Sequence, residues 1–333
     1  MSPLVSIILP TFNRAATLGR AVESVFEQTF EDWELIIVDD RSSDETERVL
    51  AAYAGHEKVR LISQLQSGCA VARNLGVSVS RGRYLAFQDS DDEWTSDKLA
   101  RAVAALDGTG PEVGLCYSDM LRVQTDGSIV YFGAPDVHRQ KIISEETLDF
   151  LALGIGIQAA VIKRECFERV GLFDEALPRF IDLDLFIRLS EHFDFIHQRE
   201  PLVSYYACEG ISTNTQALVI ARRHLLKKYR ARLEREKTHL AKQHLQLARA
   251  YYENGARLAP VWLALKALLL CRLEFGLCKD AFQILGLMMP QVFVKWIPAL
   301  YRFWRRTARQ SFLSGSKKER GQRCSKLDVG LEP

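Results

Sequence analysis

The sequence lacks several patterns that define common classes of protein. Its seven cysteines are scattered and odd in number, with no C-x-x-C pair, and its seven histidines show no ligand spacing. This usage is typical of reduced thiols in the cytoplasm and argues against a zinc site or a disulfide framework. The first residues have neither the basic start nor the apolar run of a signal peptide. No window reaches the ~20 uncharged residues of a membrane span.

Two nucleotide-binding fingerprints are also missing. There is no G-x-x-x-x-G-K-[ST] sequence, and therefore no P-loop. Nothing glycine-rich follows the first apolar run, which excludes the dinucleotide-binding fingerprint. Residues 154–159 resemble that fingerprint superficially, but no predicted strand precedes them, and we interpret them as a turn.

What is present is an ordinary globular composition with an uneven distribution of charge. The chain has 333 residues, 47% of them hydrophobic and 26% charged, which is enough for two or three domains. Residues 1–214 contain 20 Lys or Arg and 34 Asp or Glu, whereas residues 215–333 contain 24 and 8. An acidic front part and a basic back part indicate two tasks, the second involving an anionic surface.

The first hundred residues alternate between short apolar runs and amphipathic segments. Strands are predicted at 5–9, 35–38, 59–62 and 84–88, and helices at 15–27, 43–54 and 70–79. This order predicts an α/β fold with a parallel sheet covered on both faces. Residues 119–132 predict a hairpin that turns at 125–127.

Polar side chains follow the predicted strands repeatedly. They are Thr11 and Asn13, then Asp39 and Asp40, then Asp89, Asp91 and Asp92. Because the carboxyl ends of parallel strands meet at one edge of a sheet, these residues predict a binding site. Clustered carboxylates repel one another unless a cation lies between them, and oxygen ligands suit Mg²⁺ or Mn²⁺. A solvated acidic loop is the alternative interpretation of this last cluster.

Four segments, in this order, resemble the family 2 glycosyltransferases. They are V-S-I-I-L-P-T-F-N-R at 5–14, D-D-R-S-S-D at 39–44, G-C-A-V-A-R-N at 68–74 and the D-x-D motif at 89–91. The resemblance extends from residue 4 to about residue 210. It implies a glycosyltransferase A fold over residues 1–214, with a nucleotide-sugar half at 1–118 and an acceptor half at 119–214.

The same resemblance implies an activity. It is the transfer of a sugar, with inversion, from a nucleoside diphosphate sugar to a glycan or a lipid-linked saccharide. A UDP-sugar is the first expectation for the donor, and cell-surface polysaccharide synthesis is the expected process.

The resemblance also assigns roles to individual residues. Those expected to bind the nucleotide sugar are Pro10, Thr11, Asn13, Asp39, Asp40, Arg73 and Asp89. Asp91, with Asp89, is expected to hold a divalent metal, Mn²⁺ or Mg²⁺. Asp182, in the segment F-I-D-L-D-L-F-I-R-L, is expected to be the catalytic base. Asp92 and Trp94 are assigned to the acceptor side, with helix capping and core packing as their respective alternatives.

The sequence departs from the family pattern at two places. Ile181 stands where the family usually has Glu, and Ala207, Cys208 and Glu209 replace the Arg and His that often follow the closing strand. These departures keep open a membrane-bound scaffold whose transferase domain has decayed. A nucleotidyltransferase is a further alternative, although the glycine- and lysine-rich loop of that class is absent after the first strand.

The basic back part is expected to be helical over residues 215–310. Segments 240–257 and 260–273 resemble one weak tetratricopeptide unit, and 292–306 mixes aromatic and basic residues as interfacial helices do. Residues 311–333 are predicted to be disordered. We therefore expect a cytoplasmic protein that binds peripherally to the anionic inner face of the cell membrane through its C-terminal helices. No nucleic-acid partner is expected.

Overall fold

The computed structural model describes residues 2–137, 155–207, 214–235, 237–270 and 275–288. The chain divides into two compact units, Met1–Leu225 and Leu226–Pro333. The division falls within the helix Thr215–Lys228. The domain boundary expected from the sequence, at residue 214, lies just before this helix.

The first unit is built on a nine-stranded sheet. Its strands are β1 (Val5–Thr11), β2 (Trp33–Asp39), β3 (Val59–Ser63), β4 (Tyr84–Phe87), β5 (Glu93–Trp94), β6 (Val113–Val123), β7 (Ile129–Phe132), β8 (Ala160–Lys163) and β9 (Asp194–Tyr206). The helices are α1 (Leu18–Phe26), α2 (Thr46–Ala51), α3 (Cys69–Val79), α4 (Lys98–Leu106), α5 (Arg164–Val170), α6 (Ile181–Ser190) and α7 (Thr215–Lys228), with a 3-10 turn at Ile157–Ala159.

The sheet is parallel in its first half and mixed in its second. The strand order is β3-β2-β1-β4-β8-β6-β9-β5, with β7 paired to β6. Strands β1 to β4 are parallel, β8 runs antiparallel to β4 and β6, and β9 is parallel to β6. The predicted α/β class is confirmed.

The apolar runs form central strands because both faces of the sheet are covered. All seven residues of β1 are buried, and a strand buried on both sides has no polar alternation. The predicted hairpin is confirmed as β6 and β7, with Gly127 in its turn at a φ of 81°. Positive φ is readily accessible to glycine, which explains the residue at that point.

The second unit is helical over the residues that are described. It contains α8 (Arg230–Leu233), α9 (Lys237–Glu253), α10 (Leu258–Leu270) and α11 (Phe275–Met288). Helix α10 packs against both α9 and α11. The predicted helical pair is therefore confirmed, whereas the aromatic-basic segment 292–306 and the predicted tail 311–333 lie outside the described residues. Within the described part of the chain, no helix is long and apolar enough to cross a membrane.

Candidate functional site

The site lies at the carboxyl ends of neighbouring parallel strands. Thr11, the last residue of β1, is in register with Asp39 at the end of β2, and β4 on the other side of β1 leads into Asp89. The Thr11 hydroxyl is buried, and no partner for it is found among the described residues. An unsatisfied buried hydroxyl at a strand end is suited to a hydrogen bond with a bound molecule. Pro10 is buried within β1 itself, paired with Val38.

Asn13 and Asp39 fix the loop that follows β2. The backbone N–H of Asn13 donates to the Ser42 hydroxyl at 2.8 Å, and its side-chain oxygen accepts from the Ser43 N–H at 2.7 Å. The Ser42 hydroxyl donates to Asp39 at 2.5 Å. Asn13 has a φ of 51°, a region that Asn adopts more easily than most residues. Both residues predicted to bind nucleotide thus lie where expected and also hold the loop in place.

Asp40 is buried, and the loop before α3 folds around it. Its Oδ1 accepts hydrogen bonds from the Gln64 side chain at 2.7 Å and the Ser67 N–H at 2.8 Å, and its Oδ2 accepts from the Gly68 N–H at 2.8 Å. Both oxygens are therefore engaged within the protein. In this structure Asp40 shapes the loop that begins α3, which is a positioning role that the motif alone did not reveal.

Each carboxylate of the D-x-D motif faces an arginine. Arg73, buried on α3, pairs with Asp89, and Arg14 lies 3.3 Å from Asp91. Burial raises the pKa of Asp89, and Asp91 raises it further while Arg73 opposes the shift. Burial alone would lower the pKa of Arg73, but Cys69 and Asp89 raise it. The structure thus brings Arg73, Asp89 and Asp91 together, as predicted.

Asp182 lies in the first turn of α6 and belongs to the same electrostatic cluster. Burial raises its pKa, Arg73 lowers it, and Asp89 raises it. Its Oδ1 accepts a hydrogen bond from the Leu183 N–H at 2.8 Å. A carboxylate with a raised pKa is a better proton acceptor near neutral pH. Ile181, where the family usually has Glu, is buried beside it.

Asp92 and Trp94, assigned to the acceptor side, are placed in the interior. Asp92 is fully buried, accepts the Tyr206 N–H at 3.0 Å, and has a pKa well above its usual value because of burial and the neighbouring Asp89 and Asp91. Trp94 donates to the Gln158 carbonyl at 3.1 Å. The core alternative left open for Trp94 therefore describes its position, and Asp92 fastens the acidic loop to β9 rather than capping a helix.

The sequence did not single out two sets of contacts that support the site. Asn74, next to Arg73, donates to the Phe173 carbonyl at 3.0 Å and accepts its N–H at 2.9 Å. Asp184 is fully buried and pairs with Arg188 at 2.9 Å. The Asp184–Arg188 spacing of four residues on a helix was the available signal for an ion pair. The second departure from the family pattern, at residues 207–209, is described only in part. Ala207 follows β9, while Cys208 and Glu209 lie outside the described residues.

The geometry agrees with what comparisons of the sequence show. Residues 6–125 match the profile of the family described as Glycosyl transferase family 2. The amylovoran biosynthesis glycosyltransferase AmsB of Erwinia amylovora is 29% identical over 60% of this chain and 69% of its own length. The Escherichia coli glucosyltransferase WfgD, named for UDP-Glc and a GlcNAc-diphosphoundecaprenol acceptor, is 32% identical over 48% of this chain and 60% of its own. The chain spans 33% of a Rickettsia felis relative called an uncharacterized glycosyltransferase.

Solved structures share the fold. The S. aureus protein TarS, residues 1–349, in complex with UDP-GlcNAc, superposes with a TM-score of 0.53 over 95% of this chain and 92% of that chain. The sequence identity is 17%, so this likeness concerns the fold. This likeness confirms the expected glycosyltransferase A fold, and residues 6–125 carry the match to the family 2 glycosyltransferase profile.

Proposed function

We propose that the protein transfers a sugar from a nucleoside diphosphate sugar, a UDP-sugar in the first place, to a glycan or lipid-linked saccharide. The observation that carries this proposal is the convergence of Arg73 from α3 and Asp182 from α6 on Asp89 and Asp91, which follow β4 at the sheet edge. The buried Thr11 hydroxyl, for which the described residues supply no partner, and the loop held by Asn13 and Asp39 offer a place for the nucleoside.

The acidic loop is suited to a divalent metal shared with the donor. Asp89 and Asp91 offer oxygen ligands only, and within the described residues no group of three or more His, Cys, Asp or Glu side chains could hold a metal on its own. Two carboxylates completed by phosphate oxygens are the usual setting of Mg²⁺. When bound, Mn²⁺ or Mg²⁺ would neutralise charge on the leaving diphosphate. Asp91 is the proposed direct ligand, assisted by Asp89.

The acceptor side offers one suitable carboxylate on α6. Asp184 is fully buried and paired with Arg188, so Asp182 is the member of this helix that can take a proton at the site. A base on the acceptor side and a stabilised leaving group on the donor side favour a single displacement. The acceptor oxygen then attacks opposite the diphosphate, and an α-linked donor gives a β-linked product.

The named relatives support the proposed process and place. AmsB is named for amylovoran biosynthesis, and WfgD for an acceptor carried on diphosphoundecaprenol. An acceptor of that kind would be met at the inner face of the cell membrane. We therefore propose cell-surface polysaccharide synthesis, with peripheral attachment of the basic C-terminal part to anionic lipid.

Two variants and one control test the chemistry. Asp182→Asn should retain donor binding but lose about 10²–10⁴-fold in turnover, because the amide cannot accept the proton. Asp91→Ala should lose the increase in donor affinity that Mn²⁺ causes. Asp126→Asn, in the hairpin turn, is the matched control and should behave as the wild type.

The measurements are calorimetric titration of UDP-glucose and UDP-GlcNAc with and without Mn²⁺, turnover on a small acceptor, and NMR of the product's anomeric configuration. Full turnover in the presence of a strong chelator would refute the metal. A product with retained configuration, or an Asp182→Asn variant as fast as the wild type, would refute the base and the inverting mechanism.

A further inference from the structure

Helix α10 is apolar on the side that packs against α9 and α11 and also on the opposite side, which is exposed within the described part of the chain. Its buried side consists of Pro260, Leu263, Ala264 and Ala267. On the opposite side the exposed fractions are 86% for Leu258, 61% for Trp262, 48% for Leu265 and 85% for Leu269. A helix that is hydrophobic all round is normally buried all round. The exposed side of α10 therefore requires an explanation.

These four residues form one continuous stripe. They lie at positions i, i+4, i+7 and i+11 of the helix, which is the spacing of a single helical face. The stripe is about 16 Å long at the rise of an α-helix. We call it the α10 outer face, formed by Leu258, Trp262, Leu265 and Leu269.

Basic groups flank this face. The Lys266 ammonium lies 5.0 Å from the centre of the Trp262 ring, and Arg257 is exposed just before the helix. Residues 237–288 contain seven Lys or Arg against three Asp or Glu. A second copy of the chain would bring the same positive charge to the contact, whereas an anionic surface complements it. Charge thus favours an anionic partner.

The composition and length of α10 match a helix that lies in a membrane interface. Such helices combine Leu and Trp on one side with Lys or Arg beside them, and Trp is enriched at the level of the lipid headgroups. With 13 residues, α10 is shorter than the ~20 residues of a membrane span, so its apolar side would be buried along the surface rather than across it.

We propose that the α10 outer face is the surface through which the chain lies on anionic phospholipid. This proposal rests on the membrane attachment proposed above and assigns it to a defined helix face. The aromatic-basic segment 292–306, which the sequence suggested for this role, is a different part of the chain. The α10 outer face would place its three leucines among the acyl chains, with Trp262, Lys266 and Arg257 at the level of the headgroups.

The test is vesicle sedimentation of the full chain. The variant is the double substitution Leu265→Gln and Leu269→Gln, which removes apolar contact without adding a negative charge. We expect its affinity for vesicles of phosphatidylcholine and phosphatidylglycerol to fall by about 10–100-fold per residue. The matched control is Ile129→Gln with Val130→Gln on β7, whose side chains are 62% and 48% exposed. This control should sediment as the wild type does.

A second variant reports on the contact directly. Trp262→Phe should retain most of the vesicle affinity while losing the part of the fluorescence blue shift that comes from this ring. Salt should weaken the binding of the wild type, since part of the attraction is electrostatic.

Three results would overturn the proposal. The first is equal sedimentation of the Leu265/Leu269 variant and the wild type. The second is equal loss in the β7 control. The third is a wild type that is oligomeric without lipid and becomes monomeric in the Leu265/Leu269 variant, because the face would then bind a second copy. If no form sediments while donor binding by calorimetry persists, membrane attachment fails but the transferase proposal stands.

Discussion

Replacing Arg188 by Met tests how the helix that carries Asp182 is held in place. Arg188 donates from Nε to the fully buried carboxylate of Asp184 at 2.9 Å. Its guanidinium also donates to the backbone carbonyls of residues 170, 171 and 172, at 2.7, 3.2 and 2.8 Å. One side chain thus connects α6 to the end of α5 and the loop behind it.

Arg188→Met should lower the free energy of unfolding strongly, because the carboxylate of Asp184 stays buried and loses the guanidinium. Removing one member of a buried ion pair strands the other charge, and such changes cost about 3–5 kcal/mol. With a slope of about 3 kcal/mol per molar urea, which is reasonable for a unit of this size, the unfolding midpoint should fall by about 1–2 M. Asp184→Asn should cost less, since the amide oxygen still accepts from Arg188 and no charge remains buried on that side.

The chain contains a matched control for this substitution. Asp97, the residue before α4, and Arg101 within it have the same residue types, the same spacing of four and an Nε–Oδ2 distance of 2.5 Å, but they are exposed. Arg101→Met should leave the midpoint nearly unchanged, because exposed pairs contribute little. The assay is urea unfolding followed by fluorescence at neutral pH. Equal midpoints for Arg188→Met and Arg101→Met would refute the argument that burial makes the first pair important.

Three further outcomes follow from the structure. Gly68→Ala should destabilise the chain by about 1–3 kcal/mol and weaken donor binding, because Gly68 has a φ of 96°. Gly19→Ala in α1 is the control, since an added Cβ meets no atom within 4 Å at either position. Urea unfolding should show no destabilisation for Gly19→Ala. Burial lowers the pKa of Lys98 to about 7. The unfolded chain then binds a proton that the folded chain lacks above pH ~7, so stability should rise by about 1.4 kcal/mol per pH unit there, and Lys98→Met should lose this slope in urea titrations between pH 7 and 10. Burial opposes ionisation of Asp119, but hydrogen bonds from Tyr131 and His197 lower its pKa, so its contribution should disappear as the pH falls below ~4, and thermal melts of Asp119→Asn should change less with acid.

The first half of the sheet could be predicted from the sequence because its strands are continuous apolar runs separated by clear helical periodicity. The second half could not be predicted in the same way. The resemblance indicates a closing strand just before Ala207, which covers only the last residues of β9, whereas the strand begins at Asp194. Its earlier part contains His197, Gln198 and Arg199, which hide the apolar pattern. That part of β9 forms because it pairs with β6, about eighty residues away. The local sequence of β9 does not predict this pairing.

The site shows the same division between local and distant information. The strand-end rule found the edge of the sheet and its acids, since it depends only on chain order. It gave no indication that Asp92 would be buried under the Tyr206 N–H, which lies 114 residues further along the chain. Nor did it indicate that Trp94 would donate to the Gln158 carbonyl. Whether a polar side chain faces ligand or core depends on partners that long-range folding supplies.

Asp182 and Asp184 show the same dependence on long-range partners within a single turn of helix. Both are aspartates near the start of α6, and first-turn electrostatics would stabilise either one equally. They differ in their neighbours: Arg188 holds Asp184 from within the helix, whereas Asp182 interacts with Arg73 and Asp89 from other elements. Conversion of each to Asn should therefore separate two properties. Of the two variants, Asp184→Asn should have the lower urea midpoint. Asp182→Asn should have the lower turnover. The difference between structural and chemical roles comes from the partners of each carboxylate, not from its position in the motif.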